Sequence, residues 1–247
     1  DIEPELIEYV LVKFKFEEQY VIPTATLRPE TIFGVTNLWI NPDIKYVIAQ
    51  VNKEKWIITK EAARKLEFLN ASVSIISEID GSDLIGKSVF DETRRQLVPM
   101  FPASFVDPNN GTGIVMSVPA HSPYDYQALV DLKKDDNILR KFAITVNIVP
   151  IKIIQTDAFP SNDSSPAESI VTRYSIRDQN DPKLEEATNK LYSEEFHNGV
   201  LLPNIDQIGN LSVIKARETI REKIINEEIG TTKKKKKNVV KCRCGTP

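Results

Sequence analysis

GTGIVMSVPAHSPYD, residues 111–125, is the stretch that decides how the fold is read. A Gly-Thr-Gly turn opens it, an apolar run through Ile114, Val115 and Met116 follows, and Pro119 stops that run just after Val118. A short apolar run bounded by turn residues predicts a buried strand. Pro123 suits the first turn of a helix, where a missing N–H removes nothing, so a helix is predicted over 123–132 with Asp125 in its first turn. The stretch therefore reads as a strand handing a polar loop to a helix, with one carboxylate at the junction. Residues 24–34, TATLRPETIFG, read as the facing wall. They are rich in hydroxyls, Pro29 pushes Arg28 toward an extended conformation, and Glu30 suits the positive end of a short helix closed by Gly34.

Working outward, residues 10–16 (VLVKFKF) alternate apolar and polar as a half-buried strand does. A second strand begins at Val21-Ile22 and is expected to break at Pro23. Strands are predicted over 37–41, 46–51 and 73–79, a helix capped by Thr59 over 61–66, and an apolar segment over 96–106 interrupted by Pro99 and Pro102. Residues 107–111 (DPNNG) are a turn signal. Two short strands are predicted around Pro150 within 142–155. From residue 161 the character changes to a polar loop and then helices over 167–173, 183–197 and 212–229, with Gly199 and Gly230 as C-terminal caps of the last two. Five lysines at 233–237 read as a solvated loop or a nucleic-acid backbone contact, and 239–243 as a strand. The whole is a mixed α/β chain, β-rich over 13–160 and helical over 161–230. Its short, proline-marked strands predict a closed, barrel-like sheet decorated with helices.

Composition narrows the function. Hydrophobic residues make up 41% and charged residues 27% of 247, ordinary values for a chain that buries a core. A net charge of −3 supplies no global field for nucleic acid, so any such contact is local. Both cysteines fall in the last six residues, as Cys242 and Cys244; this excludes a disulfide framework for the body and fits a reducing, cytoplasmic setting. No run of eighteen apolar residues is present, so no membrane span is expected. A start without Met and an end at Cys-Gly-Thr-Pro lead us to expect a piece of a longer protein.

Each candidate residue has two readings. Asp125 either favours the positive helix end or anchors a cationic group such as an ammonium through charge-assisted hydrogen bonds. Thr24, Thr26 and Thr31 are either strand and cap threonines or the lining of a shape-selective pocket. Arg28 is a surface ion pair or a clamp for phosphate or carboxylate. His121 has no Ser or Cys partner placed for attack, so a triad is unsupported. No HxxxH, HExxH or CxxC cluster occurs, and no catalytic metal is expected. Neither GxxxxGK[ST] nor GxGxxG is present, so nucleotide-driven chemistry within this chain is not expected.

The pair ATLRPETIFGVTNLWINPD and GTGIVMSVPAHSPYDYQAL resembles the editing domain of leucyl-tRNA synthetases of the archaeal and eukaryotic-cytosolic branch, a connective insertion in the synthetic core. The resemblance runs from about residue 7 to 210, and KLEEATNKLYSEEFHNGVL also looks archaeal. Met116 and Ser117 look leucyl-like, the alternatives being isoleucyl- or valyl-type editing or a tRNA-end binding module without hydrolysis. The absence of HIGH and KMSKS agrees with a chain lacking the synthetic core. The resemblance implies 1–12 and 233–247 as the two crossings to that core, with the editing domain over 13–232. It implies hydrolysis of the ester of tRNA(Leu) mischarged with isoleucine, norvaline or methionine, because a hydrophobic pocket separates near-isosteres by only about 1–3 kcal/mol. It further implies that Asp125 binds the α-ammonium and that the Thr31 methyl excludes leucine. Thr26, Leu27, Met116, Val118 and His121 would line the side-chain and adenosine region, with Arg28 on the terminal adenosine or its phosphate. Leu27 and Ser122 depart from the bacterial pattern. No cofactor is implied for this chain, ATP and Mg belonging to the parent's core. The implied partners are the tRNA 3′ CCA end and the rest of the synthetase in cis, the chain itself being monomeric.

Overall fold

The computed structural model describes residues 6–69, 71–160 and 165–236. Its centre is β1 (Leu6–Phe16), eleven residues long and predicted only from Val10 onward. The alternation does its work here: Val10, Val12, Phe14 and Phe16 enter the main hydrophobic core. Leu11 points the other way, into a second cluster with Trp56, Ile58 and Leu66.

The strands β2 (Tyr20–Thr26), β3 (Asn37–Ile40), β4 (Lys45–Val51) and β5 (Glu54–Ile58) follow. Then come α1 (Lys60–Phe68), β6 (Val73–Asp80), β7 (Ser88–Asp91), β8 (Gln96–Pro102) and β9 (Ile114–Ser117). They form one mixed sheet in the order β6-β4-β5-β2-β1-β7-β8-β3-β9, parallel only at β2/β5 and β3/β8. The sheet curls until β9 packs against β2, which gives the barrel-like core the sequence predicts. Among the described residues no ladder joins β6 to β9, so the barrel is not closed by hydrogen bonds.

Pro23 does not break β2; it sits opposite Lys13 in the ladder with β1. The parallel neighbour β5 pairs only at Tyr20 and Val21, so the missing N–H falls where β2 has a free side. Pro99 likewise lies inside β8, and Pro102 is its last residue.

The helices are α2 (Pro123–Lys134), α3 (Asp136–Phe142), α4 (Pro166–Arg173), α5 (Lys183–Asn198) and α6 (Val213–Asn226). α3 was not predicted; Asp135 restarts the helix by accepting from the amides of Asn137 and Ile138. Of the two strands expected around Pro150, only the short β10 (Ile154–Gln155) forms, paired with β11 (Val200–Leu201). Gly199 caps α5 as predicted, but in an extended rather than left-handed conformation (φ −74°), and a Cβ there would lie 2.2 Å from the Glu195 carbonyl. Gly230 opens β12 (Gly230–Lys236), which carries Lys233 to Lys236 in register beside β1 rather than in a loop. The strand expected over 239–243, Cys242 and Cys244 lie outside the described residues. No described helix is long and apolar enough to cross a membrane.

The turn before β9 is fixed from several sides. Tyr46 Oη donates to the Gly113 carbonyl at 2.8 Å, and the Thr59 amide donates to the Thr112 carbonyl at 3.1 Å. Gly113 has φ +78°, and a Cβ there would stand 2.0 Å from Thr59 Cγ2. Gly113→Ala is therefore expected to destabilise the fold by about 2–4 kcal/mol, from backbone strain plus overpacking, read as a lowered midpoint of urea unfolding.

Candidate functional site

β3 and β9 run antiparallel, with Trp39 opposite Val115, and α2 packs through Ala128, Leu129 and Leu132 into a cluster with Trp39 of β3 and Phe101 of β8. Ser122 caps α2 by accepting from the Asp125 amide at 3.3 Å, and Pro123 occupies the first turn, as the sequence predicts. This places Asp125 at the mouth of the β9–α2 loop, 6% exposed. Its Oδ1 accepts from Trp39 Nε1 at 2.9 Å and its Oδ2 from the Val118 amide at 3.0 Å. Burial pushes the carboxyl up to about 6, against the pull of hydrogen bonds from Val118, Ser122 and Trp39. A carboxylate has about four acceptor sites on its two oxygens, so with donors from Trp39, Val118 and Ser122 it retains capacity for one further group.

The facing wall is a tight 3-10 turn, Pro29–Gly34, all of whose residues are buried. Thr26 Oγ1 accepts from the Arg28 amide at 2.9 Å. Thr31 Oγ1 donates to the Arg28 carbonyl at 2.8 Å, and the Thr31 amide donates to that carbonyl at 3.0 Å. The Arg28 guanidinium points inward. Its Nε meets Glu30 Oε1 at 3.1 Å, one terminal nitrogen meets the His121 carbonyl at 3.1 Å, and the other meets Glu195 Oε2 at 2.6 Å. It also stacks over the Tyr192 ring at 4.5 Å. Burial works against its charge, but Glu195 and Glu30 outweigh that and raise its pKa above the ordinary arginine value.

His121 is fully buried, and both ring nitrogens are occupied. The Ile153 amide donates to Nε2 at 2.9 Å, which puts the ring proton on Nδ1, 2.6 Å from Glu195 Oε1. Burial disfavours the Glu195 carboxylate, yet His121 and Arg28 hold it below the usual glutamate range. Glu30, also buried, is raised by desolvation in spite of Arg28. Arg28 thus faces two buried carboxylates, and Asp125 adds a third nearby. The site carries surplus negative charge, which suits a cationic group more than a phosphate.

The residues singled out in the sequence separate accordingly. Asp125, Thr26, Thr31, Arg28 and His121 lie on two walls tied together by the Arg28–His121 bond. Leu27 is 38% exposed at the rim. Met116 and Val118 belong to the main core cluster, Val118 also offering its amide to Asp125. Arg28 and His121 are engaged in internal bonding rather than pointing outward. Sequence reading missed Trp39, Glu30, Tyr192 and Glu195. The last two come from α5, three residues apart on one helix face, and Tyr192 hydrogen-bonds Ser122. Glu194 and Glu195 are indistinguishable in sequence; only the fold buries the second. Among the described residues no group of three or more His, Cys, Asp or Glu side chains is arranged to hold a metal ion.

A curled mixed sheet with helices on its rim thus carries a buried carboxylate at the β9–α2 junction and a threonine-bearing turn tied to that junction through Arg28. A profile of the leucyl-tRNA synthetase editing domain matches residues 8–151, and the chain belongs to that family. It is 44% identical over 249 aligned residues to the leucine–tRNA ligase of Methanococcoides burtonii, covering 99% of this chain but 26% of that protein. The chain thus spans about a quarter of the length of the curated relatives it matches. The fold is shared with the Plasmodium falciparum cytosolic leucyl-tRNA synthetase editing domain lacking insertions 1 and 3, at TM-score 0.82 and 16% identity, over 92% of this chain and 99% of that one. The Plasmodium knowlesi counterpart gives 0.81 and 15%, over 93% and 97%.

Proposed function

We propose that this chain is the proofreading unit of a cytoplasmic leucine–tRNA ligase, hydrolysing the ester between the tRNA(Leu) 3′ adenosine and isoleucine, norvaline or methionine. The observation that carries the reading is Asp125: a buried carboxylate with spare acceptor capacity, facing a threonine-lined turn, in a leucyl-tRNA synthetase editing-domain family. In this reading Asp125 holds the α-ammonium, and the Thr31 methyl closes the side-chain pocket to leucine. A water oxygen attacks the ester carbonyl carbon, the carbon–oxygen bond to the ribose breaks, and the departing ribose oxygen takes up a proton. The aminoacyl ester is already activated, so positioning of water and substrate, with help from the neighbouring ribose hydroxyl, supplies most of the rate. The remainder of the ligase, in cis, would grip the tRNA body and use ATP and Mg for synthesis. The chain as given acts as a monomer in this scheme.

The test is deacylation of Ile-tRNA(Leu) against Leu-tRNA(Leu) between pH 5 and 8, with the spontaneous rate subtracted. The ammonium needs the ionised carboxylate, and burial raises Asp125 to about 6. Activity is therefore expected to be full above that value and to fall about tenfold per unit below it. A chain that binds the tRNA end but hydrolyses neither ester would overturn the reading.

A further inference from the structure

We propose that Glu195, on α5, is a positioning residue for the selectivity of the pocket. It fixes Arg28 and, through the Arg28 carbonyl, the rotamer of Thr31. The inference rests on the editing reading above and extends it to a helix that contributes none of the implied substrate contacts.

The geometry forms a continuous chain. Glu195 is 1% exposed and both its oxygens are engaged, Oε2 by Arg28 at 2.6 Å and Oε1 by His121 Nδ1 at 2.6 Å. The Arg28 guanidinium is further held by Glu30 and by the His121 carbonyl, so its planar fork is locked on three sides. The backbone of the same residue presents the carbonyl that accepts from both the amide and the hydroxyl of Thr31. Threonine carries hydroxyl and methyl on one carbon, so a fixed hydroxyl also fixes where the methyl points. Glu195 therefore acts on the proposed gate through Arg28.

The same carboxylate reaches the opposite wall. His121 belongs to the β9–α2 loop that delivers Asp125, and its ring joins Glu195 to the Ile153 amide. Removing the Glu195 charge leaves Arg28 buried with Glu30 as its remaining bonded carboxylate and leaves the His121 Nδ1 proton with a weaker acceptor. Both walls lose their common tie, and the Thr31 methyl loses its fixed direction, while Asp125 keeps its bonds from Trp39 and the Val118 amide.

The experiment compares wild type with Glu195→Gln, measuring deacylation of Leu-tRNA(Leu) and Ile-tRNA(Leu) and the circular dichroism melt of each protein. The expected result is a rise of about tenfold in the leucine-to-isoleucine rate ratio in a folded variant. Damage to overall packing would lower both rates together and leave the ratio unmoved. If Glu195→Gln does not fold, Arg28→Lys decides: it keeps the charge but lacks the fork that spans Glu30, Glu195 and the His121 carbonyl, and the same shift is expected. An unchanged ratio in a folded variant overturns the role of Glu195. Wild type inactive on Ile-tRNA(Leu) overturns the editing reading itself, and this inference with it.

Discussion

Replacing Asp125 with alanine is expected to lower kcat/KM for deacylation of Ile-tRNA(Leu) by about 100–1,000-fold. Truncating one partner of a buried, hydrogen-bonded charge pair removes several kcal/mol of binding, and each 1.4 kcal/mol is tenfold. From sequence alone the substitution looks separable from the fold. The structure says otherwise, because Asp125 also accepts from Trp39 Nε1 and from the Val118 amide. Alanine leaves both buried donors without this acceptor, at about 1–3 kcal/mol each, offset in part by removal of a desolvated carboxylate. The rate must accordingly be measured well below the variant's melting temperature, with circular dichroism reporting the folded fraction. A folded variant that deacylates at the wild-type rate would show that the ammonium is held elsewhere.

The second large effect is a gain. Thr31→Ala is expected to raise hydrolysis of correctly charged Leu-tRNA(Leu) by about 10–200-fold while changing Ile-tRNA(Leu) little, the range that one methyl-sized difference in a pocket supports. Thr31 is 1% exposed, and the Arg28 carbonyl keeps its bond from the residue 31 amide after the hydroxyl is gone. The turn should therefore hold its shape and the pocket should simply deepen. Mischarged and correctly charged tRNA(Leu), assayed side by side, decide the matter. Continued rejection of leucine would remove Thr31 as the gate.

Much of the framework was legible because local pattern and tertiary burial agree. The alternation in β1, the Thr59 cap of α1 and the Pro123 opening of α2 appear where the sequence puts them. Local pattern failed where a neighbour decides. Pro23 reads as a breaker, but its cost depends on whether a second strand needs its N–H, and none does. The helix predicted over 123–132 runs on to Lys134, and Asp135 both ends it and caps α3, which no local pattern announced. The site divides in the same way. Asp125 and the threonine turn each lie within one short stretch and were found. Glu195 meets Arg28 across 167 residues, and nothing in the periodicity of α5 marks which of two adjacent glutamates is drawn inside. A buried ion pair is a property of the assembled fold, so its residues look like any solvated helix face until the partners are placed.

The pairing of β12 with β1 has a mechanical corollary. Leu6 stands opposite Lys236, so the two strands leave the body side by side, separated by about 5 Å, the spacing of one ladder rung. Whatever continues beyond those residues begins from almost a single point. A host loop carrying a body attached in this way needs hardly any change in its own end-to-end distance, so grafting costs little closure entropy.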